Sequence, residues 1–212
     1  MNVADNLRAV RQRIARAGRN PDEIEIVAVT KGFGPEVCRA AIDAGLKILG
    51  ENRVQDAVEK MSEIDGGTWH LIGHLQTNKV RLAAGRFALI QSVDSRHLAD
   101  TLARINVEQK VLVEINVARE AKKTGVDPER AAALIDQVAE MLDLQGLMAM
   151  GPAEGDPTPA FDELRTMRDA AEHRLGKGLP ILSMGMSGDF EVAVKAGSTM
   201  VRLGQVLFGP RP

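Results

Sequence analysis

Eight short apolar runs, each followed by a stretch of helical periodicity, are the feature that most limits how this chain can fold. The runs occupy residues 24–31, 46–52, 68–74, 88–94, 110–117, 144–150, 179–185 and 199–204. The first, IEIVAVTK, is an unbroken and largely β-branched series, which is typical of a strand covered on both faces. Strands that alternate with helices form a parallel sheet, because each helix carries the chain back to the start of the next strand.

Eight parallel strands can close into a barrel, which leaves no exposed sheet edge. The main alternative is an open doubly wound sheet, but the chain lacks the glycine fingerprint that a dinucleotide-binding version carries after its first strand. Residues 2–17 place apolar side chains at helical spacing before Gly18, and residues 151–161 are a loop rich in proline and glycine. The sequence therefore predicts an α/β fold: a single (β/α)8 TIM-type barrel domain over residues 1–212 with an extra N-terminal helix.

Net charge and the distribution of apolar residues indicate which kinds of partner the protein is not expected to bind. The 27 basic and 29 acidic residues leave a formal net charge of -2, so neither nucleic acid nor a membrane is expected as a partner. No apolar run approaches the roughly 18 residues of a membrane span, and the N-terminus lacks the apolar centre of a signal peptide. We therefore expect a cytoplasmic protein, in which the single cysteine, Cys38, is a buried structural thiol.

Functional groups in such a barrel are expected where the strands end. Lys31 ends the first apolar run, where it either extends its charge to water or projects its amine into a protected pocket. After the seventh and eighth runs, Ser187 with Gly188 and Gly204 with Gln205 can present free backbone N–H groups to a phosphate, or the glycines can simply make tight turns. The other strand ends carry the following polar or sulfur-containing side chains: Glu51, Asn52, His74, Asp94, Asn116, Met150 and Arg202.

A phosphate site, an arginine on the next strand and a lysine at the end of the first strand suggest a phosphorylated aldehyde held as a Schiff base. Pyridoxal 5'-phosphate fits that description. Desolvation or a nearby cation such as Arg202 would lower the pKa of the Lys31 amine and make it a better nucleophile.

Several motifs resemble those of the pyridoxal phosphate homeostasis protein family: VAVTK, GENRVQ, WHLIGHLQTNK, INVAREAKKTG, GLMAM and LSMGMSGDFEVAVKAGSTMVRLGQVLFG. That resemblance implies a barrel similar to the barrel domain of alanine racemase, and a role in keeping vitamin B6 levels balanced. It further implies that Lys31 is the Schiff-base lysine, that Asn52 lies near the cofactor, that Ser187 and the backbone of Gly204 and Gln205 hold the phosphate, and that Arg202 faces the pyridine nitrogen. Leu49 and Arg53 replace an aromatic pair of the family.

The sequence favours a cofactor carrier over an enzyme. Racemisation needs acid and base groups on both faces of the cofactor, and alanine racemases supply one of them from a tyrosine, whereas this chain contains no tyrosine. We expect a monomer or weak dimer that passes cofactor to pyridoxal phosphate-dependent enzymes with at most weak catalysis. The alternative is a pyridoxal phosphate enzyme, such as a racemase of small amino acids, that uses His74 or Cys38 as the second base.

Two further groups of side chains are given structural interpretations. His70 and His74 would lie roughly 13 Å apart in a strand, too far to share one metal, so no metal site is expected. His70 is instead assigned to packing and His74 to the pocket rim. The charged residues Glu120, Lys122 and Lys123 indicate a solvated loop, although the family resemblance makes Lys123 a possible phosphate-attracting group.

Overall fold

The computed structural model describes residues 2–211 and contains a closed barrel of eight parallel strands arranged in sequence order. The strands are β1 (Glu25–Val29), β2 (Ile48–Glu51), β3 (Thr68–Leu71), β4 (Leu89–Val93), β5 (Lys110–Glu114), β6 (Asp143–Met148), β7 (Ile181–Ser183) and β8 (Met200–Leu203). β8 closes the barrel on β1, with Arg202 opposite Val27. The predicted TIM-type barrel is confirmed.

Helices surround this barrel. They are α1 (Val3–Arg16), α2 (Pro35–Asp43), α3 (Val54–Glu63), α4 (Val80–Ala83), α5 (Arg96–Ala103), α6 (Pro128–Met141), α7 (Thr158–Leu175), α8 (Phe190–Lys195) and α9 (Gln205–Phe208), with short 3-10 segments at Pro21–Glu23 and Thr77–Lys79. α1 is the predicted extra N-terminal helix. Among residues 2–211, no helix combines the length and apolar character needed to cross a bilayer.

The strands are shorter than the apolar runs that predicted them. β1 ends at Val29 rather than at Lys31, and β6 and β7 end at Met148 and Ser183 rather than at residues 150 and 185. The runs extend further because the segments that follow the strands are also buried, as the fully buried Ala149 and Met184 illustrate. Lys31 and Met150 therefore lie in the loops just beyond β1 and β6, whereas Glu51 and Arg202 remain within β2 and β8.

The core is divided into two apolar clusters. The larger one fills the layer between strands and helices, and the smaller one, inside the barrel, is formed by Val27, Leu89, Leu112, Met148 and Met200. Because alternate residues of a strand face opposite sides, the same strands also direct polar side chains into the barrel, among them His70, Gln91, Glu114, Ser183 and Arg202. The interior is thus apolar in part and polar in part.

The N-terminal helix covers the last two helices of the barrel. Asn6 Nδ2 donates to the Leu207 carbonyl at 2.8 Å, and Arg13 pairs with Glu191 at 2.7 Å. The Arg13 guanidinium also lies 4.4 Å from the ring centroid of Phe190, a cation–π contact. α1 therefore supports the outer side of the loops that lead into α8 and α9.

Candidate functional site

A cavity of about 400 Å³ opens at the carboxyl ends of the strands. Its lining includes all seven residues that the sequence predicts for the site: Lys31, Asn52, Ser187, Gly188, Arg202, Gly204 and Gln205. They follow or belong to β1, β2, β7 and β8, which barrel closure makes neighbours. His74 also lines this cavity, as expected of a rim residue.

Lys31 occupies the corner of a tight turn. The Phe33 N–H donates to the Thr30 carbonyl at 3.1 Å, and Gly32 has φ +77°, the value that the second central residue of a type II turn requires. Glycine is favoured here by that positive φ, and a Cβ at Gly32 would lie 3.0 Å from Cδ of the exposed Arg211 side chain. The turn directs Lys31 into the cavity while its backbone stays fixed.

The environment of Lys31 favours a neutral amine. Desolvation lowers the pKa of Lys31 most, and the cations of Arg211 and Arg202 lower it further, whereas Glu51 acts in the opposite direction. A larger fraction of neutral amine at neutral pH makes the lysine a better nucleophile toward a carbonyl carbon.

Arg202 is buried in the barrel and held by its neighbours. Its Nη1 donates to the carbonyl and hydroxyl oxygens of Ser183, both at 2.8 Å, and its Nη2 donates to the Ala149 carbonyl at 2.8 Å. Burial lowers the pKa of Arg202 to about 10, so the guanidinium remains a cation at neutral pH. Its orientation is fixed before any ligand arrives.

A chain of hydrogen bonds runs from Arg202 across the barrel interior. The Ser183 hydroxyl donates to Gln91 Oε1 at 2.7 Å, and Gln91 Nε2 lies 3.1 Å from Nδ1 of His70. If the Gln91 amide donates, Nδ1 is an acceptor and the imidazole is neutral. Burial lowers the pKa of His70 to about 4, which agrees with this neutral form and with the structural role expected for His70.

The loops after β7 and β8 form one wall of the cavity, next to the loop after β1. The backbone N–H groups of Ser187, Gly188 and Gln205 have no acceptor among residues 2–211, and the Ser187 hydroxyl accepts from the Val206 N–H at 3.2 Å, which joins the two loops. A Cβ built on Gly188 would meet no atom within 4 Å, so that position borders open cavity. Free N–H groups around open space are the requirement for binding an anion such as phosphate.

Asn52 reaches the cavity from the segment after β2. A Cβ on Gly73 would lie 2.3 Å from the Asn52 carbonyl oxygen, so glycine at position 73 lets the loops after β2 and β3 pack together. Leu49 is fully buried in the layer outside the barrel, and Arg53 lines a neighbouring cleft. The two positions at which the chain departs from the family's aromatic pair thus lie outside the cavity lining.

Acidic groups lie on the side of β4 and β5. Glu114 is buried, accepts from the Thr124 hydroxyl at 2.6 Å, and has its second carboxyl oxygen without a partner among the described residues. Burial, and to a smaller extent the charge of Asp94, raise the pKa of Glu114. Asp94 in turn lies 3.0 Å from Nδ1 of His74.

Sequence reasoning missed Arg211, Thr124 and Met148, which also line the cavity. The loop that contains Glu120, Lys122 and Lys123 is solvated in part, since Lys122 is exposed whereas Glu120 and Lys123 are half-buried. Lys123 Nζ donates to Glu120 at 2.8 Å and to the Gly151 carbonyl at 2.6 Å, so this ion pair joins two loops, and the lysine amine is engaged there. The charge density of this segment could not reveal the contact with Gly151, because Gly151 belongs to a loop that is remote in sequence.

Among residues 2–211, no group of three or more His, Cys, Asp or Glu side chains is placed to hold a metal ion. Cys38 is buried and burial raises the pKa of its thiol, as expected of a structural cysteine.

Comparison with known proteins places this geometry in a family. The alanine racemase N-terminal domain family matches residues 2–212. The "Pyridoxal phosphate homeostasis protein" of Aquifex aeolicus is 40% identical, with 100% of this chain and 99% of that protein covered, and the Escherichia coli K12 protein of the same name is 37% identical, with 99% and 97% covered. The solved structure of PipY from Synechococcus elongatus with PLP bound has a TM-score of 0.85 at 32% identity and covers 98% of this chain and 100% of that one. The chain therefore belongs to the pyridoxal phosphate homeostasis protein family, built on a barrel of the alanine racemase N-terminal type.

Proposed function

We propose that this protein binds pyridoxal 5'-phosphate through a Schiff base to Lys31 and acts in homeostasis of that cofactor, as a carrier or regulator without robust catalysis. The observation that supports this most strongly is that one cavity gathers a nucleophilic lysine, a fixed arginine and a set of free backbone N–H groups.

The residues present fit the cofactor. Gly188 borders open space beside unpartnered N–H groups, as a phosphate site requires, and Ser187 with the backbone of Gly204 and Gln205 completes that wall. Lys31 would supply the amine that holds the aldehyde group, Asn52 would contact the cofactor from the loop after β2, and Arg202 would donate toward the pyridine nitrogen. When bound, the cofactor supplies an electron-withdrawing ring.

The same residues limit catalysis. Because the pKa of Arg202 stays well above neutrality, its guanidinium can only donate to the ring nitrogen, which leaves that nitrogen unprotonated and the ring a weaker electron sink. The chain also lacks the tyrosine that alanine racemases use as a second acid or base. We propose that such a protein holds cofactor as a monomer or weak dimer and delivers it to pyridoxal phosphate-dependent enzymes.

One observation favours an alternative function. His74 lines the cavity and is oriented by Asp94, so it could supply the proton transfer that a racemase of small amino acids needs on its second face. Purified protein given D- or L-alanine distinguishes the two functions. Turnover at ordinary enzyme rates, lost in Lys31→Ala, would establish the enzyme and contradict the carrier.

Cofactor attachment is tested by borohydride reduction of the protein loaded with pyridoxal 5'-phosphate, followed by peptide mapping. We expect one pyridoxyl group, on Lys31, and none in Lys31→Ala. Lys110→Ala is the matched control, since Lys110 is exposed at the opposite end of a barrel strand. A pyridoxyl group on another lysine, or none in the unaltered protein, would refute the proposal.

A further inference from the structure

We infer that Lys60 and Glu51 form a positioning pair for Lys31: a buried ion pair between α3 and the barrel that fixes the turn carrying the cavity lysine. The inference depends on the proposed function only in giving Lys31 its chemical role. The pair lies on the outer side of the barrel wall and lines no part of the cavity described above.

The contacts converge on one backbone carbonyl. Lys60 Nζ donates to the Thr30 carbonyl at 2.9 Å and also to Glu51 Oε1. The Thr30 hydroxyl donates to the same Glu51 oxygen at 2.8 Å. Only 7% of Lys60 is exposed, and Glu51 and Thr30 are fully buried. The Thr30 carbonyl is the acceptor that closes the turn around Lys31, so the ion pair acts directly on that turn.

The same cluster joins two strand ends. The Thr30 N–H donates to the Gly50 carbonyl at 3.0 Å, which links the end of β1 to β2. Thr30 is followed by Lys31 and Glu51 by Asn52, and because successive side chains face opposite sides of the barrel wall, Lys31 and Asn52 face the cavity while Thr30 and Glu51 face α3. Movement of the ion pair would therefore displace two cavity residues together.

A contribution to folding stability does not by itself explain why Lys60 and Glu51 form a buried ion pair. Burying two charges costs free energy that their attraction recovers only when every remaining polar atom is satisfied. Glu51 Oε2 has no hydrogen-bond partner among the described residues, so the pair is not fully satisfied. Because Lys60 contacts the Thr30 carbonyl, the ion pair is better explained by its effect on the geometry of the turn that contains Lys31.

The pair also sets the charge near Lys31. Glu51 raises the pKa of Lys31, against the lowering caused by desolvation, Arg211 and Arg202. The Lys60 cation beside Glu51 offsets that carboxylate, since the two charges are in contact. On the outer side, Asp56, Glu59 and Glu63 line a cleft that reaches Lys60, and Cys38, whose thiol pKa is raised by burial, packs nearby as a neutral group. Removing the charge of Glu51 should consequently lower the pKa of Lys31, and removing the charge of Lys60 should raise it.

The test measures the reactivity of Lys31 without the cofactor. The protein is reductively methylated with formaldehyde and cyanoborohydride over a pH series, and the rate at Lys31 is read by peptide mapping against exposed Lys110. In Lys60→Met, Glu51 is left uncompensated, and we expect the Lys31 rate at neutral pH to fall about three- to tenfold. In Glu51→Gln we expect that rate to rise by a similar factor.

Opposite shifts in the two variants would support the positioning pair. Equal rates, or changes of the same sign, would overturn it, because loss of packing alone would move both variants in one direction. If Lys60→Met does not fold, the sign of the change in Glu51→Gln decides the matter.

The double variant Glu51→Gln/Lys60→Met separates charge from geometry. We expect its pH profile to return toward that of the unaltered protein, while its affinity for pyridoxal 5'-phosphate stays about tenfold weaker because Thr30 has lost the ammonium donor. Unaltered affinity in the folded double variant would overturn the geometric part. Because methylation needs no cofactor, failure of the protein to bind pyridoxal 5'-phosphate would refute the proposed function without affecting the methylation rates of the two single variants.

Discussion

The surroundings of the cavity differ in charge from one side to the other. The side formed by β7, β8 and β1 lines the cavity with Arg202, Lys31 and Arg211, whereas on the side of β4 and β5 the acidic residues Asp94 and Glu114 lie outside the lining. Arg202 keeps its charge at neutral pH because its pKa is about 10, whereas the lowered pKa of Lys31 favours its neutral amine. On the acidic side, burial raises the pKa of Glu114. Basic side chains are thus concentrated on one side of the cavity, where they would attract an anionic ligand.

The largest loss of cofactor affinity is expected for Arg202→Met, on the basic side of the cavity. It removes the fixed cation and three hydrogen bonds to Ser183 and Ala149, and we expect affinity for pyridoxal 5'-phosphate to fall roughly 10- to 100-fold. Absorbance titration measures the affinity, and thermal melts show whether the variant is folded. An affinity within twofold of the unaltered protein would contradict the role given to the basic wall.

A second prediction concerns the interior chain that leads from Arg202 to His70. Because burial lowers the pKa of His70 to about 4, the unfolded chain takes up a proton near pH 6.5 while the folded protein does not. Stability should therefore fall by roughly 3 kcal/mol as the pH drops from about 6.5 to 4, and should be insensitive to this group above pH 6.5. Urea unfolding at several pH values measures this, and His70→Gln should reduce the slope. An unchanged slope would mean that the pKa of His70 is the same in the folded and unfolded protein.

The phosphate wall is tested by Gly188→Ala. The added methyl group meets no protein atom, so folding should be unaffected, but it occupies cavity beside the free N–H groups, and we expect affinity for pyridoxal 5'-phosphate to fall about five- to tenfold. Gly178→Ala is the matched control, since a Cβ there also meets nothing within 4 Å but lies away from the cavity. Equal affinities in the two variants would place the phosphate elsewhere.

The smallest effect is expected on the acidic side. The raised pKa of Glu114 means that the unfolded chain releases the proton first, so this group lowers stability as the pH rises above about 4.5. Glu114→Gln should remove that dependence, stabilise the protein at neutral pH by about 1 kcal/mol or less, and change cofactor affinity less than about threefold. A large loss of affinity in this variant would instead give Glu114 a direct part in binding.

The residues that touch the cavity were largely predictable from the sequence, whereas those that hold them in place were not. Lys31 and the glycine loops at Gly188 and Gly204 follow recognisable strands, and barrel closure brings them together. Glu114 interrupts the apolar run KVLVEINV, which is a signal that sequence reasoning could have used.

The positions of other residues near the site could not be predicted from the neighbouring sequence. Lys60 lies among charged residues of an ordinary amphipathic helix, and only tertiary packing shows that its amine is buried against Thr30. Arg211 follows the last helix, and its approach to Gly32 depends on the contact between opposite ends of the chain. Strand ends were misplaced because buried loops continue the apolar pattern.

The pairing of β8 with β1 also has a consequence for biosynthesis. Lys31 follows the first strand of the barrel, and Arg202 with Gly204 belong to or follow the last, so the cavity cannot be completed until β8 has been synthesised. Contacts between such distant segments form late and slowly, and until then the edge of β1 has no permanent neighbour on one side. Pyridoxal 5'-phosphate added during refolding should therefore report on the closure of β8 on β1, because a chain without β8 keeps Lys31 but lacks Arg202 and Gly204.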